Sequence, residues 1–208
     1  MHEQKRPPGY ELFFAPLQVV LNPTEFESVK FAYLQAKSGL AKQTREDGSR
    51  AFDHPKFAAW IYMYELGGRD PHTIIIILLH DIEEDTYLLS PYRISLNFSK
   101  EIALDIVALT KLPKGKETVE EYLARIIDRG PRVTLAKLCD RLHNLRTLRG
   151  CSEEKLARQI EETQRYHLPL LIPALNEYGE PWTTYADSME QKIKEAISEL
   201  GNDRPAPK

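Results

Sequence analysis

The chain has 208 residues, of which 42% are hydrophobic and 28% are charged, a balance typical of a globular protein with an apolar core. Its net charge of −3 argues against general electrostatic capture of nucleic acid. It has no apolar run long enough to span a membrane, too few cysteines for a disulfide framework and no apolar segment typical of a signal peptide. We therefore expect a cytoplasmic, single-domain protein that binds neither nucleic acid nor a membrane.

The predicted elements are all helices. Residues 1–23, rich in proline and aromatic side chains, are expected to wrap irregularly over the surface, and residues 201–208 to form a disordered tail. Between them, residues 24–200 should form one all-α domain, because apolar residues recur at helical spacing and no stretch clearly alternates apolar and polar residues. Cap and breaker residues then predict roughly eight helices, at residues 24–37, 54–66, 71–85, 99–109, 118–128, 133–148, 152–166 and 182–200.

The third of these helices organises the rest of the chain. Six Ile and Leu residues run directly into His80 and Asp81. Such a β-branched run could be a buried strand, but Asp70 before Pro71 is a good helix start, so we expect a helix over residues 71–85. Burying an imidazole beside a carboxylate costs several kcal/mol unless the two are paired or bind a metal. This pair is therefore the first candidate functional site.

Four side chains form a candidate set of metal ligands: His54, His80, Asp81 and Asp140. Two imidazoles and two carboxylates suit Mn²⁺ or Fe²⁺ better than a closed structural Zn²⁺ site. A six-coordinate ion with these ligands would keep positions for a water molecule and for a substrate phosphate oxygen. Each residue alone also has an ordinary interpretation, as a helix cap, a satisfied pair at a helix end or a surface salt bridge.

Further polar residues follow the candidate ligands at helical spacing. Glu84 and Asp85 lie one turn beyond the His-Asp pair, where a carboxylate could orient or deprotonate a metal-bound water. The alternative is a solvated acidic helix end, which the helix macrodipole disfavours. Asn144 and Thr147 share a helix face with Asp140 and could bind a ribose or a phosphate, or could satisfy each other.

A lysine-rich loop contains Lys111, Lys114 and Lys116. Its ammonium groups could bind a polyphosphate, although most such loops are simply solvated. His143, near the Asp140 face, could orient a metal ligand through a hydrogen bond. His167 belongs to no pattern, and we expect it at the surface.

The set of ligands resembles that of the HD phosphohydrolase superfamily, and longer strings are similar to the hydrolase domain of Rel/Spo-type alarmone enzymes. With no synthetase domain attached, the chain looks like a stand-alone small alarmone hydrolase. The resemblance spans about residues 31–171 and is carried by three strings: Gln43-Thr-Arg-Glu-Asp-Gly-Ser-Arg-Ala-Phe-Asp-His-Pro, Leu78-Leu-His-Asp-Ile-Glu-Glu-Asp-Thr and Lys137-Leu-Cys-Asp-Arg-Leu-His-Asn-Leu-Arg-Thr-Leu.

This resemblance implies an HD-domain helical bundle with one Mn²⁺ held by the four ligands. It implies that Glu84 and Asp85 position or activate an attacking water, and that the reaction releases pyrophosphate from the 3′ position of (p)ppGpp to return GDP or GTP. The residues that match nucleotide-binding positions of the family are Arg45 against the base, Asn144 and Thr147 at the ribose and phosphate, and Tyr166 in the pocket wall.

The chain departs from the family at the base-binding turn. The family usually has Arg-Lys-Ser-Gly-x-Pro-Tyr there, whereas Glu46 follows Arg45 here. Guanine presents the acceptor O6 where adenine presents an amino donor, so replacing a lysine by an acceptor makes (p)ppApp a candidate substrate beside (p)ppGpp. Two alternatives stay open: a general HD phosphohydrolase of 5′-nucleotides or dNTPs, and a non-catalytic nucleotide-binding regulator. The sequence also leaves open whether the chain forms a homo-oligomer.

Overall fold

The computed structural model describes residues 8–46, 48–82 and 90–202, and the regular elements in these ranges are helical. The predicted all-α fold is confirmed. None of the helices described is both long and apolar enough to cross a bilayer. In chain order the α-helices are α1 (Tyr10–Gln18), α2 (Pro23–Gly39), α3 (Asp53–Trp60), α4 (Pro71–Leu79), α5 (Pro91–Asn97), α6 (Lys100–Leu109), α7 (Val119–Asp128), α8 (Pro131–Arg146), α9 (Glu153–Glu162), α10 (Leu168–Asn176) and α11 (Trp182–Asn202).

Two of these helices continue without a break into π-helical turns. Helix α3 runs on through Ile61–Glu65, and the turn Thr163–His167 joins α9 to α10. A short 3₁₀ turn, Leu148–Gly150, follows α8. These turns change the direction of side chains along an otherwise continuous helix, which hydrophobic spacing alone does not predict.

Side-chain caps begin several helices where the sequence predicts them. The carboxylate of Asp70 accepts a hydrogen bond from the backbone N–H of Thr73 at 2.9 Å, and Pro71 occupies the first turn of α4. Thr118 and Glu121 form the predicted reciprocal capping box at the start of α7. Each such cap is worth about 0.5–2 kcal/mol, so these residues fix where the helices start.

Helix α4 lies in the core of the domain. Every residue from Thr73 to Leu79 is buried, and α4 packs against α2, α3, α6 and α8. A helix that is apolar on all sides is stable only when surrounded in this way. Its carboxyl end therefore delivers His80, which caps the helix, into the protein interior.

The prediction of an irregular amino-terminal segment is wrong for residues 10–18, which form α1. Pro16 suggested a chain unsuited to a helix, but Phe13 and Phe14 are buried and pack against Tyr33 of α2, with ring centroids 5.1 and 5.2 Å apart. Aromatic burial thus outweighs the proline. Helices α5 and α10 are also additional to those predicted. Helix α4 ends at Leu79, earlier than the predicted residue 85, and α11 includes residues 201 and 202 of the expected tail. Residues 83–85 and 203–208 lie outside the described ranges.

Candidate metal centre

Three helical segments bring the four predicted ligands together. His54 lies in the first turn of α3, His80 and Asp81 follow α4, and Asp140 projects from the middle of α8. The two Nε2 atoms of the histidines are 3.2 Å apart. An oxygen of Asp140 lies 3.0 Å from Nε2 of His54, and an oxygen of Asp81 lies 3.0 Å from Nε2 of His80. Ligand atoms of His54, His80 and Asp81 thus lie within 4.8 Å of one another, a group that could hold a metal ion, and Asp140 approaches both histidines.

The hydrogen bonds of the imidazoles turn one nitrogen of each towards this point. Nδ1 of His80 donates to the carbonyl of Ile77 at 2.7 Å, so Nε2 is the nitrogen available to a cation. Nδ1 of His54 lies 2.7 Å from Nδ1 of His143, and a proton on His54 satisfies that contact. This is the outer hydrogen bonding that orients metal-binding histidines. The donor set fits a divalent cation.

The electrostatics of the site also favour a positive charge between these groups. Burial lowers the pKa of His80, but the charges of Asp81 and Asp140 overcome it and hold that pKa well above its ordinary value. Burial alone would raise the pKa of Asp140, yet Lys137 and the two histidines hold it well below its ordinary value. Burial lowers the pKa of His54, which favours the neutral imidazole that binds metals. The site thus combines ionised carboxylates with a histidine that is stabilised by a proton or a metal.

Both oxygens of Asp140 are held by neighbouring side chains. Nζ of Lys137 lies 2.7 Å from Oδ2, and Nδ2 of Asn144 donates to Oδ1 at 2.5 Å. Asn144 in turn accepts a hydrogen bond from Nη2 of Arg45 at 2.8 Å. Asp140 is therefore fixed in one orientation, with Oδ1 towards the histidines.

The metal centre opens into a cavity of about 460 Å³. Its wall is rich in basic side chains, which suits a ligand with several phosphate groups. Lys137 and Lys111 both lie over the ring of Tyr122, at 5.2 and 5.7 Å from its centroid. The proximity of Lys137 is the main cause of a lowered pKa of Lys111. The basic residues of the wall are Arg45, Lys111, Lys137, Arg141 and Lys155.

The structure brings some of the predicted nucleotide-binding residues to this cavity and leaves others away from it. Arg45, Asn144 and Thr147 line the wall. Lys116 is exposed on its loop and Tyr166 packs partly against the core, and neither is among the described residues that line the cavity. The two candidate catalytic carboxylates, Glu84 and Asp85, lie outside the described ranges.

Three basic residues of the cavity wall are not among the functional residues that the sequence predicts. Lys137 stands three residues before Asp140 on the same helix, a spacing that could have identified it as an ion-pair partner. Arg141 and Lys155 give no comparable signal, because their cavity contacts depend on how α8 and α9 pack. The prediction that His167 is a surface residue is wrong: it is 1% exposed and lies 2.7 Å from Nη2 of Arg141.

No family model matches the chain, but curated proteins do. It is 34% identical over 158 residues to a GTP pyrophosphokinase of Streptomyces coelicolor, covering 72% of this chain and 18% of that protein. It is 37% identical over 153 residues to a guanosine-3′,5′-bis(diphosphate) 3′-pyrophosphohydrolase of Aquifex aeolicus, covering 71% and 22%. The chain thus spans about one fifth of the length of these relatives.

A solved structure shares the fold. It is described as a metazoan ortholog of SpoT that hydrolyzes ppGpp, and it superposes with a TM-score of 0.68 at 19% sequence identity. The match covers 87% of this chain and 97% of the other. The overall helical fold is therefore shared with that protein.

Proposed function

Because the chain belongs to the Rel/Spo-type family of HD hydrolase domains, we propose that it is a metal-dependent 3′-pyrophosphohydrolase of alarmone nucleotides. The substrate would be (p)ppGpp, (p)ppApp or both, and the products would be pyrophosphate with GDP, GTP, ADP or ATP. The observation that carries this proposal is the convergence of His54, His80, Asp81 and Asp140 beside a cavity with a basic wall.

Mn²⁺ is the metal that we propose, with Fe²⁺ as the alternative, since mixed imidazole and carboxylate ligands suit either ion. When bound, such an ion lowers the pKa of a coordinated water and polarises a phosphoryl oxygen. The protein's own contribution is to hold its ligands rigidly, through Lys137 and Asn144 on Asp140 and through Ile77 on His80. Glu84 and Asp85 are proposed to orient and deprotonate the attacking water.

The basic wall is proposed to bind the phosphate groups. Lys111 and Lys137 both lie over the ring of Tyr122, and Arg141 donates a hydrogen bond to Glu162 at 2.6 Å. A wall that carries these basic groups would attract a pyrophosphate group. These cations would also stabilise the charge that develops on the phosphoryl oxygens during transfer.

Base selection is proposed to involve Glu46 together with Lys155. Oε2 of Glu46 lies 2.7 Å from Nζ of Lys155 across the cavity, in a partly exposed ion pair that costs little to open. The carboxylate can accept from the amino group of adenine, and the ammonium group supplies a donor for O6 of guanine. Lys155 thus supplies, from α9, the hydrogen-bond donor that is missing at the position after Arg45. Guanine and adenine alarmones are therefore both candidate substrates.

Product analysis tests this proposal. The protein is incubated with Mn²⁺ and, separately, with ppGpp, pppGpp, ppApp, GTP and dGTP. We expect pyrophosphate from the alarmones and no turnover of GTP or dGTP. Release of 5′-phosphates would favour a general HD phosphohydrolase, and tight nucleotide binding without turnover would favour a regulator. Equal rates on ppApp and ppGpp would exclude base discrimination by Glu46.

Two variants separate metal binding from water activation. Asp81→Ala should lose both Mn²⁺ and activity. Glu84→Ala should keep Mn²⁺ and lose activity by about 10²–10⁴-fold, the usual contribution of a general base. Arg149→Ala, which removes an exposed ion pair with Glu199, is the control and should behave as wild type. Full activity of Asp81→Ala would contradict the assigned metal centre.

A further inference from the structure

A chain of hydrogen bonds joins the turn that carries Arg45 to the candidate metal centre. Nη2 of Arg45 donates to Oδ1 of Asn144 at 2.8 Å, and Nδ2 of Asn144 donates to Oδ1 of Asp140 at 2.5 Å. That same oxygen of Asp140 lies 3.0 Å from Nε2 of His54. Asn144 therefore contacts the carboxylate oxygen that faces the two histidines, and not the oxygen bound by Lys137.

The two neighbours of Asn144 fix which way its amide points. A guanidinium group offers only donors and a carboxylate only acceptors, so the amide oxygen must face Arg45 and the amide nitrogen must face Asp140. Rotating the amide by 180° would place two donors together and two acceptors together. Loss of Arg45 would remove one of the two constraints, and the amide would hold Asp140 less firmly.

Arg45 itself is placed by a short turn of the chain. Its backbone N–H donates to the carbonyl of Ser49 at 2.8 Å, and Gly48 adopts the left-handed conformation (φ 79°) that the turn requires. Thr44 and Arg50 form an isolated bridge at the base of the turn. A nucleotide that contacts Arg45 would therefore act on a side chain that is connected through Asn144 to Asp140.

We propose that Asn144 is a positioning residue that couples the conformation of the Arg45 turn to the affinity of Asp140 for its metal. The inference rests on the proposed function for the identity of the nucleotide, but not for the coupling itself. Because such coupling is reciprocal, a nucleotide that holds Arg45 against Asn144 would tighten metal binding, and the metal would tighten nucleotide binding by the same factor.

Calorimetric titration of the nucleotide-free protein with Mn²⁺ tests the coupling without any turnover. Asn144→Leu, which keeps the branched shape of the side chain and removes both hydrogen bonds, should weaken Mn²⁺ binding about 10–100-fold, as is usual for residues that orient metal ligands. Arg45→Ala should weaken it too, although Arg45 is not a ligand. The double variant should be no weaker than Asn144→Leu alone, since Arg45 acts only through Asn144. Arg149→Ala and the exposed Asn176→Leu serve as matched controls.

Each result has a distinct meaning. Wild-type affinity in Arg45→Ala, or additive losses in the double variant, would overturn the coupling and leave the proposed hydrolase intact. Failure of the wild-type protein to bind Mn²⁺ would overturn both. Arg45→Ala changes a surface turn and keeps the test valid if Asn144→Leu fails to fold, which thermal unfolding without metal will show.

Discussion

Lys137 offers the sharpest test of how the fold supports the metal centre. Its ammonium group is 2.7 Å from Asp140, and both side chains are only 7% exposed. Burial lowers the pKa of Lys137, but Asp140 and Tyr122 more than reverse this, so the pKa is raised and the lysine is charged. Lys137→Met keeps the length of the side chain and removes the charge, leaving the carboxylate of Asp140 buried without its lysine partner.

The expected loss follows from the burial of the pair. Removing one partner of a buried ion pair costs about 3–5 kcal/mol, and we take about 3 kcal/mol because His54 and His80 still face Asp140. For a chain of this size, about 3 kcal/mol lowers the Tm by about 6–12 °C. Mn²⁺ at a hundred times its Kd would add about 2.7 kcal/mol to the native state and restore most of the loss.

Differential scanning fluorimetry in EDTA and in Mn²⁺ measures both effects. The control is Lys155→Met, whose ion pair with Glu46 is partly exposed and is expected to contribute little to stability. If Lys137→Met and Lys155→Met lowered the Tm equally in EDTA, the burial argument would be wrong. If Mn²⁺ stabilised wild type but not Lys137→Met, the lysine would be required for metal binding itself and not only for charge balance.

Two further variants test the scaffold. Leu78→Ala removes a side chain that is 1% exposed in α4, and it should lower the free energy of unfolding in urea by about 2–5 kcal/mol. Leu96→Ala, at a position that is 68% exposed, is the control and should lower it little. Equal losses in the two variants would refute the central place of α4. Burial raises the pKa of Asp70, but hydrogen bonds from Thr73 and the charge of Arg132 outweigh it and leave the pKa below its ordinary value. Its charge therefore stabilises the protein at pH values above about 4 and ceases to do so as the pH falls through the lowered pKa. Asp70→Asn keeps the cap but should be less stable than wild type at pH 7, and the difference should shrink below about pH 4; a difference independent of pH would contradict this.

Local signals explain why much of the fold could be predicted. Caps such as Asp70 and Thr118 act within three residues, so the sequence contains all that determines them. Helix α1 could not be predicted in this way, because its stability depends on Phe13 and Phe14 meeting Tyr33 of another helix. The π-helical turns that follow α3 and join α9 to α10 belong to the same class, since no residue type marks them.

The candidate site likewise has features that could be predicted from the sequence and features that could not. The ligand residues were predictable because His80 and Asp81 adjoin an apolar run and Asp140 lies among leucines, where an unpaired charge would be costly. The direction of each interaction was not predictable. The sequence left open whether Asn144 binds a ribose or phosphate or instead satisfies another polar residue. In the structure its amide is bound to Arg45 and Asp140, residues that only the packing of the turn against α8 brings together.

The position of the site at the end of α4 gives a physical reason for a cation there. The last carbonyl groups of a helix carry a partial negative charge, which is unfavourable for nearby carboxylates. Here Ile77, on the last turn of α4, directs its carbonyl to His80, and Asp81 follows immediately. The apolar helix that stabilises the core thus concentrates negative charge at its buried end, and positive charge from Lys137, a protonated His80 or a bound metal must offset it. Stability and metal affinity are consequently linked. A substitution that stabilises the metal-free site should therefore reduce the stabilisation that a bound metal provides.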